Sequence, residues 1–72
     1  MNKKEKTLDL LTVLEYKVML NFMDGKNYKQ ISTKLNISRQ TVRNKIYSVV
    51  KKLNANNPIH SAAILAEILY LD

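Results

Sequence analysis

Five polar side chains between residues 39 and 47 are of types that form directional hydrogen bonds with the edges of nucleic-acid bases. Arginine and asparagine form bidentate hydrogen bonds with guanine and adenine edges, respectively. Two of the five fall in the first turn of a predicted helix, where backbone amides and the helix dipole also favour phosphate. This combination indicates contacts with bases and phosphates. The five residues are Arg39, Gln40, Arg43, Asn44 and Tyr47.

Positive charge is concentrated around these residues. The chain has 72 residues and a formal net charge of +6. Residues 25–66, here called the basic block, contain eight Lys or Arg and no Asp or Glu, a net charge of +8. Residues 1–24 sum to zero, and residues 67–72 add two acids. A block of one sign inside a folded domain favours a polyanionic partner over a merely solvated helix face.

The composition argues against most other kinds of chemistry. The chain has no cysteine and one histidine, so it lacks a disulfide framework, a thiolate zinc site and enough ligands for an ordinary metal site. It has no nucleophile–base pair and no glycine-rich phosphate loop, so we expect no enzyme activity, no cofactor and no small-molecule ligand. No stretch approaches the roughly 20 apolar residues of a membrane span, and no signal peptide is evident. We expect a cytoplasmic protein.

Apolar spacing and capping residues predict four helices in an all-α domain. One Gly and one Pro in the whole chain disfavour a loop-rich or β-rich fold. Thr12 has the capping-box spacing to Glu15, and Asn27, Ser38 and Asn57 are candidate N-caps for the later helices. The predicted helices cover residues of about 13–24, 28–35, 39–53 and 58–70.

The second and third predicted helices form a helix–turn–helix unit, with a short helix, a tight turn and a longer helix. This unit lies inside the basic block. On the third helix the apolar side chains share one face, which leaves the polar residues named above on the other faces. Those apolar side chains are Val42, Ile46, Val49 and Leu53.

Two segments flank the unit. Residues 1–10 are polar and lysine-rich, and we predict that they form a flexible N-terminal arm. Residues 11–72 then form the domain. Its fourth helix is apolar nearly all round, which is more than one buried stripe requires. An exposed apolar patch usually marks an interface, and we expect a homodimer through the side chains left outside the core, namely Ile64, Ile68 and Leu71.

Four different motifs follow one another along the chain. They are L-T-x-x-E from residue 11, G-x-x-x-K-x-I from residue 25, L-x-I-S-x-x-T-V-R-N from residue 35, and K-L at residues 52–53. Together they resemble the LuxR/GerE-type helix–turn–helix domain, over residues 11 to about 66. The resemblance implies a four-helix fold, a third helix in the major groove of double-stranded DNA, and dimer contacts through the fourth helix. The chain is similar to the small stand-alone GerE-type transcription regulators.

The resemblance also implies roles for individual residues of this chain. Base contacts are expected from Arg43, Asn44 and Tyr47, to which we add Gln40. Phosphate contacts are expected from Thr41, Lys52 and the amides near Ser38, and we add Arg39, Lys45, Tyr28 and Lys29. At one departure from the family pattern, Asn54 stands where Gly is usual, and Asn is the next best residue for a left-handed backbone.

Two alternatives use the same residues differently. A sigma-factor-like domain would use the helix–turn–helix unit to position RNA polymerase and would not dimerise. A protein-interaction module would dock its apolar fourth helix on RNA polymerase or another regulator, with DNA binding secondary or lost.

Overall fold

Five α-helices make up the fold of the computed structural model, which describes the backbone of residues 3–70 and the side chains of residues 5–70. No strand occurs in this described part, so the predicted all-α class is confirmed. Four helices lie within one residue of their predicted bounds. The helices are α1 (Lys3–Asp9), α2 (Val13–Met23), α3 (Tyr28–Leu35), α4 (Arg39–Lys52) and α5 (Pro58–Tyr70).

The start of the chain differs from the prediction. The sequence gives no helix-start signal before residue 10, yet residues 3–9 form α1, which contacts α5. The predicted N-terminal arm therefore contains a helix over residues 3–9, and its flexibility stays a prediction. A helix of seven residues is too short to be stable alone in water, so its contact with α5 accounts for its helical conformation.

Side-chain caps begin the first two predicted helices. At α2, the amide of Glu15 donates to Thr12 Oγ1 (3.1 Å) and the amide of Thr12 donates to Glu15 Oε1 (2.8 Å). At α3, Asn27 and Gln30 exchange the equivalent pair of bonds, both 2.8 Å. The predicted capping box at Thr12 is confirmed, and a second box, closed by Gln30, is present at Asn27.

The N-caps of the last two helices also lie where the sequence placed them. The Thr41 amide donates to Ser38 Oγ at 3.0 Å. The His60 amide donates to Asn57 Oδ1 at 2.8 Å, while His60 Nδ1 accepts from the amide of Asn56 at 2.9 Å. Each cap satisfies a helix-end amide that has no partner within its own helix.

Left-handed residues end three of the helices. Gly25 follows α2 with a φ of 89°, and Asn36 ends α3 with a φ of 56°. Asn54 follows α4 with a φ of 55°, which confirms the left-handed backbone expected there from the resemblance. The reversal at Asn36 lets α3 and α4 follow each other with three residues between them.

The core lies where α2, α3 and α5 pack against α4. Its centre is formed by the stripe predicted for α4 together with one face of each neighbour. The buried apolar side chains are Val18, Met19, Ile31, Val42, Ile46, Val49, Leu65 and Ile68. Ser61 is also fully buried, and its hydroxyl donates to the Pro58 carbonyl at 2.6 Å, so its polar group is satisfied within α5.

The buried face of α5 differs from the one implied by the prediction that Ile64, Ile68 and Leu71 lie outside the core. Ser61, Leu65 and Ile68 are its buried residues, and Ile68 is only 6% exposed. Ile64 is half-buried, and Leu71 lies outside the described residues. The prediction that Ile68 is exposed is therefore wrong. A helix that is apolar all round has no polar face to fix its rotation in advance, so packing against the other helices sets it.

A buried isoleucine on α5 and an exposed apolar residue elsewhere test this rotation. Ile68→Ala is expected to lower the free energy of unfolding by about 2–5 kcal/mol, because it opens a cavity in the core. Val13→Ala, at a position of α2 that is 73% exposed, is the control and should change the value by less than about 0.5 kcal/mol. Urea unfolding at low protein concentration measures both. Equal effects of the two substitutions would contradict the observed rotation of α5.

Candidate nucleic-acid interface

One face of α4 is polar and fully accessible. Its positions lie on the side of the helix opposite the buried stripe, as the 3.6-residue period requires. All five side chains are exposed, including Tyr47 at 43%. We call this surface the outer face of α4, and it consists of Gln40, Arg43, Asn44, Tyr47 and Lys51.

Two pairs of side chains interact on the outer face, each across one helical turn. Gln40 Nε2 donates to Asn44 Oδ1 at 2.9 Å. The guanidinium carbon of Arg43 lies 5.6 Å from the centre of the Tyr47 ring, within the range of a cation–π contact. The predicted base-contact residues therefore lie together and partly order one another.

The N-terminus of α4 borders this face. Ser38 Oγ lies 2.9 Å from Thr41 Oγ1 as well as accepting the Thr41 amide. Arg39 is exposed in the first turn, and that turn contains no acid. The positive end of the helix dipole and a neighbouring guanidinium both favour an anion here.

A buried carboxylate joins α2 to the neighbouring face of α4. Glu15 is only 3% exposed. Its Oε2 accepts from Ser48 Oγ at 2.6 Å, and its Oε1 accepts from Lys52 Nζ at 2.6 Å and from the Thr12 amide. Glu15 thus caps α2 and also anchors α4 through side chains 33 and 37 residues further along the chain.

This cluster keeps Glu15 ionised. Burial raises the pKa of Glu15, but the hydrogen bonds from Lys52, Ser48 and the Thr12 amide, with the charge of Lys52, outweigh it. The net effect lowers the pKa from 4.5 to about 2. A buried charge is tolerated only when it is paired and hydrogen-bonded, and here three donors meet that condition.

The predicted phosphate-contact residues are more dispersed than the base-contact residues. Ser38, Arg39 and Thr41 lie together at the start of α4, and Lys29 is exposed on α3. Lys52 is one-third exposed and pairs with Glu15, so part of its role is to hold α4. The remaining two, Lys45 and Tyr28, are half-buried, and Tyr28 packs against the core.

Two residues of this region were given no role from the sequence. Ser48 binds Glu15, and Lys51 completes the outer face of α4. Helical spacing could have placed Lys51 on this face, because Lys51 follows Tyr47 by one turn. The partner of Ser48 lies on another helix, so its role could not follow from local spacing.

A short helix, a three-residue turn and a longer helix with an exposed polar face define a helix–turn–helix domain. Residues 9–65 match the family described as "Bacterial regulatory proteins, luxR family". The chain belongs to this family, as the motifs indicated, and the family is one of regulatory proteins rather than enzymes.

A curated relative supports the same class. Over 57 residues the chain is 40% identical to "Uncharacterized transcriptional regulatory protein YvfU" of Bacillus subtilis (strain 168). The aligned region covers 79% of this chain and 28% of the relative, so the chain spans little more than a quarter of that protein. No solved structure matches the chain at a significant level. Within residues 3–70, no helix is both long and apolar enough to cross a membrane.

The pKa of Glu15 predicts a specific loss of stability in acid. Because the folded-state pKa is lowered from 4.5 to about 2, the contribution of Glu15 is complete above about pH 4.5 and is lost as the pH falls towards 2. A shift of this size corresponds to up to about 3 kcal/mol. Glu15→Gln should therefore reduce the free energy of unfolding at pH 7 and flatten its decline between pH 5 and pH 2.

Asp24→Asn is the control for this measurement. Asp24 pairs with Lys26 at 2.6 Å, but its side chain is 70% exposed, and exposed pairs contribute little. Chemical denaturation at a series of pH values compares the three proteins. An acid decline that is the same for the original chain and Glu15→Gln would contradict the role assigned to Glu15.

Proposed function

We propose that this chain binds double-stranded DNA as a homodimer and regulates transcription, with α4 of each subunit in the major groove. The observation that supports this most strongly is the position of the outer face of α4 within the acid-free basic block. The major groove is about 12 Å wide and admits an α-helix. The partner is DNA, and no small-molecule ligand or cofactor is part of the proposal.

The two kinds of contact have different tasks in this proposal. Phosphate contacts from the start of α4 and from the exposed lysines set the position of the protein on the duplex. The basic block has eight cations, of which Lys26 and Lys52 pair with acids, and the others supply an attraction that is independent of sequence. Base contacts from the outer face then select the site, with Arg43 suited to guanine.

DNA binding should depend steeply on salt and on Arg43. Affinity for duplex DNA should fall as NaCl rises from 50 to 200 mM, because counterions are released on binding.

Arg43→Ala should cost about 1–3 kcal/mol on a preferred site and relax the preference at one base pair. Lys17→Ala, which removes an exposed cation outside the basic block, is the matched control and should change affinity little. Fluorescence anisotropy at several salt concentrations measures these effects; affinity that does not vary with salt would contradict the proposal.

The surface proposed for dimerisation is the exposed side of α5. Four apolar side chains follow one another there at steps of four, three and four residues, with Ile59 at 76% and Tyr70 at 71% exposure. They border a groove of about 750 Å³ whose lining includes Leu20, Met23 and Ala62. We call this surface the α5 stripe, and it consists of Ile59, Ala63, Ala66 and Tyr70.

A second copy of the chain suits the α5 stripe. The two alanines at its centre allow close approach of two helices, and the large side chains lie at its ends. In an antiparallel pair about a two-fold axis, Ile59 of each chain would lie near Tyr70 of the other, which is the self-complementarity that an isologous interface requires. α5 itself contains no Lys or Arg, while Asp24, Lys26 and Lys34 line the groove beside it. Half-sites about 10 bp apart are expected.

A charge placed in the α5 stripe should separate the subunits. Ala63 is exposed, so Ala63→Glu should fold normally by circular dichroism and sediment as a monomer, while the original chain sediments as a dimer. Val13→Glu is the control, because Val13 is an apolar residue of α2 with 73% exposure, and it should remain dimeric. A monomeric original chain would contradict the homodimer and favour the sigma-factor-like alternative, whereas a dimeric Ala63→Glu variant would exclude the α5 stripe as the interface.

A further inference from the structure

We infer that Gln40 and Asn44 recognise one base jointly, as a single hydrogen-bonding unit, and that this base is an adenine. The inference rests on the proposed function and concerns how the outer face of α4 selects its site. The observation behind it is the 2.9 Å hydrogen bond from Gln40 Nε2 to Asn44 Oδ1.

This bond changes what Asn44 offers to a base. An asparagine that binds adenine alone accepts from N6 through Oδ1 and donates to N7 through Nδ2. In this structure Oδ1 already accepts a bond from Gln40. Oδ1 keeps a second lone pair, and the groups of the pair that make no bond within it are the Nδ2 donors of Asn44 and the Oε1 acceptor of Gln40. The pair together therefore restores the donor and acceptor that a single asparagine would present.

Adenine is the base whose major-groove edge offers both complementary groups on one ring system. Its N7 accepts a hydrogen bond and its N6 amino group donates one. Asn44 Nδ2 would donate to N7, and Gln40 Oε1 would accept from N6. Gln40 is then a specificity-determining residue in its own right and also a positioning residue for Asn44.

The surroundings of the pair favour its persistence in a complex. Both residues are exposed on a regular helix, one turn apart, and no acid occurs in the basic block to compete for their donors. The neighbouring cation, Arg43, is engaged with the Tyr47 ring. An amide–amide bond that is weak in water becomes stronger when a bound duplex excludes water from the groove.

Joint recognition predicts that the two side chains act non-additively on one base pair. A preferred duplex is first selected from a random pool with the original chain. Dissociation constants are then measured for this duplex and its single-base variants, with Gln40→Ala, Asn44→Ala and the double variant. Asn44→Ala removes the donor to N7, and Gln40→Ala removes the acceptor for N6 together with the bond that orients Asn44. Each single substitution should therefore reduce the preference for the same A·T pair by about fivefold or more, and the double substitution should add little to either.

Two controls accompany this measurement: a second pair of substitutions and a test that each variant is folded. Gln40→Ala combined with Lys51→Ala should be additive, because these residues are three helical turns apart and share no partner. Circular dichroism verifies that each variant remains helical.

Effects of Gln40 and Asn44 that are additive, that fall on separate base pairs, or that concern a G·C pair would overturn the inference. Salt-dependent binding without any base preference would overturn it and leave the electrostatic part of the proposed function intact. Absence of all duplex binding would instead contradict the proposed function itself.

Discussion

The buried carboxylate of Glu15 is the interaction on which the position of α4 depends. A buried charge without partners would be strongly unfavourable, and Glu15 has three donors, one from its own cap and two from α4. These bonds fix both the separation and the rotation of α4 relative to α2. Because rotation decides which residues of a helix face outward, these bonds reinforce the outer face that the buried stripe of α4 already favours.

Residues of the same type have different roles on different faces of α4. Lys51 and Lys52 are adjacent in sequence, yet one lies on the outer face and the other pairs with Glu15. The difference is the turn of about 100° between successive residues. A third face of the same helix supplies Val42, Ile46 and Val49 to the core. One helix therefore stabilises the fold and presents its polar residues without a separate scaffold for the site.

The fold was more predictable than the contacts between its helices. Periodicity and caps placed α2 to α5 within one residue, and the outer face of α4 followed from the position of its apolar stripe. The same reasoning gave the wrong exposure for Ile68, because nearly every position of α5 is apolar and several rotations satisfy the pattern equally well. It also missed the helical state of α1, whose stability comes from contact with α5 and not from its own capping or apolar pattern.

The sequence by itself determined the bounds of α2 to α5, the location of the positive charge and, through the family pattern, the left-handed backbone at Asn54. Caps, turns and apolar periodicity depend on residues at most four positions apart. Each short segment of the sequence therefore contains the information that sets them. Tertiary structure decided the rotation of α5, the helical state of α1, and the partners of Glu15. Each of these depends on residues that are distant along the chain and meet only when the helices pack.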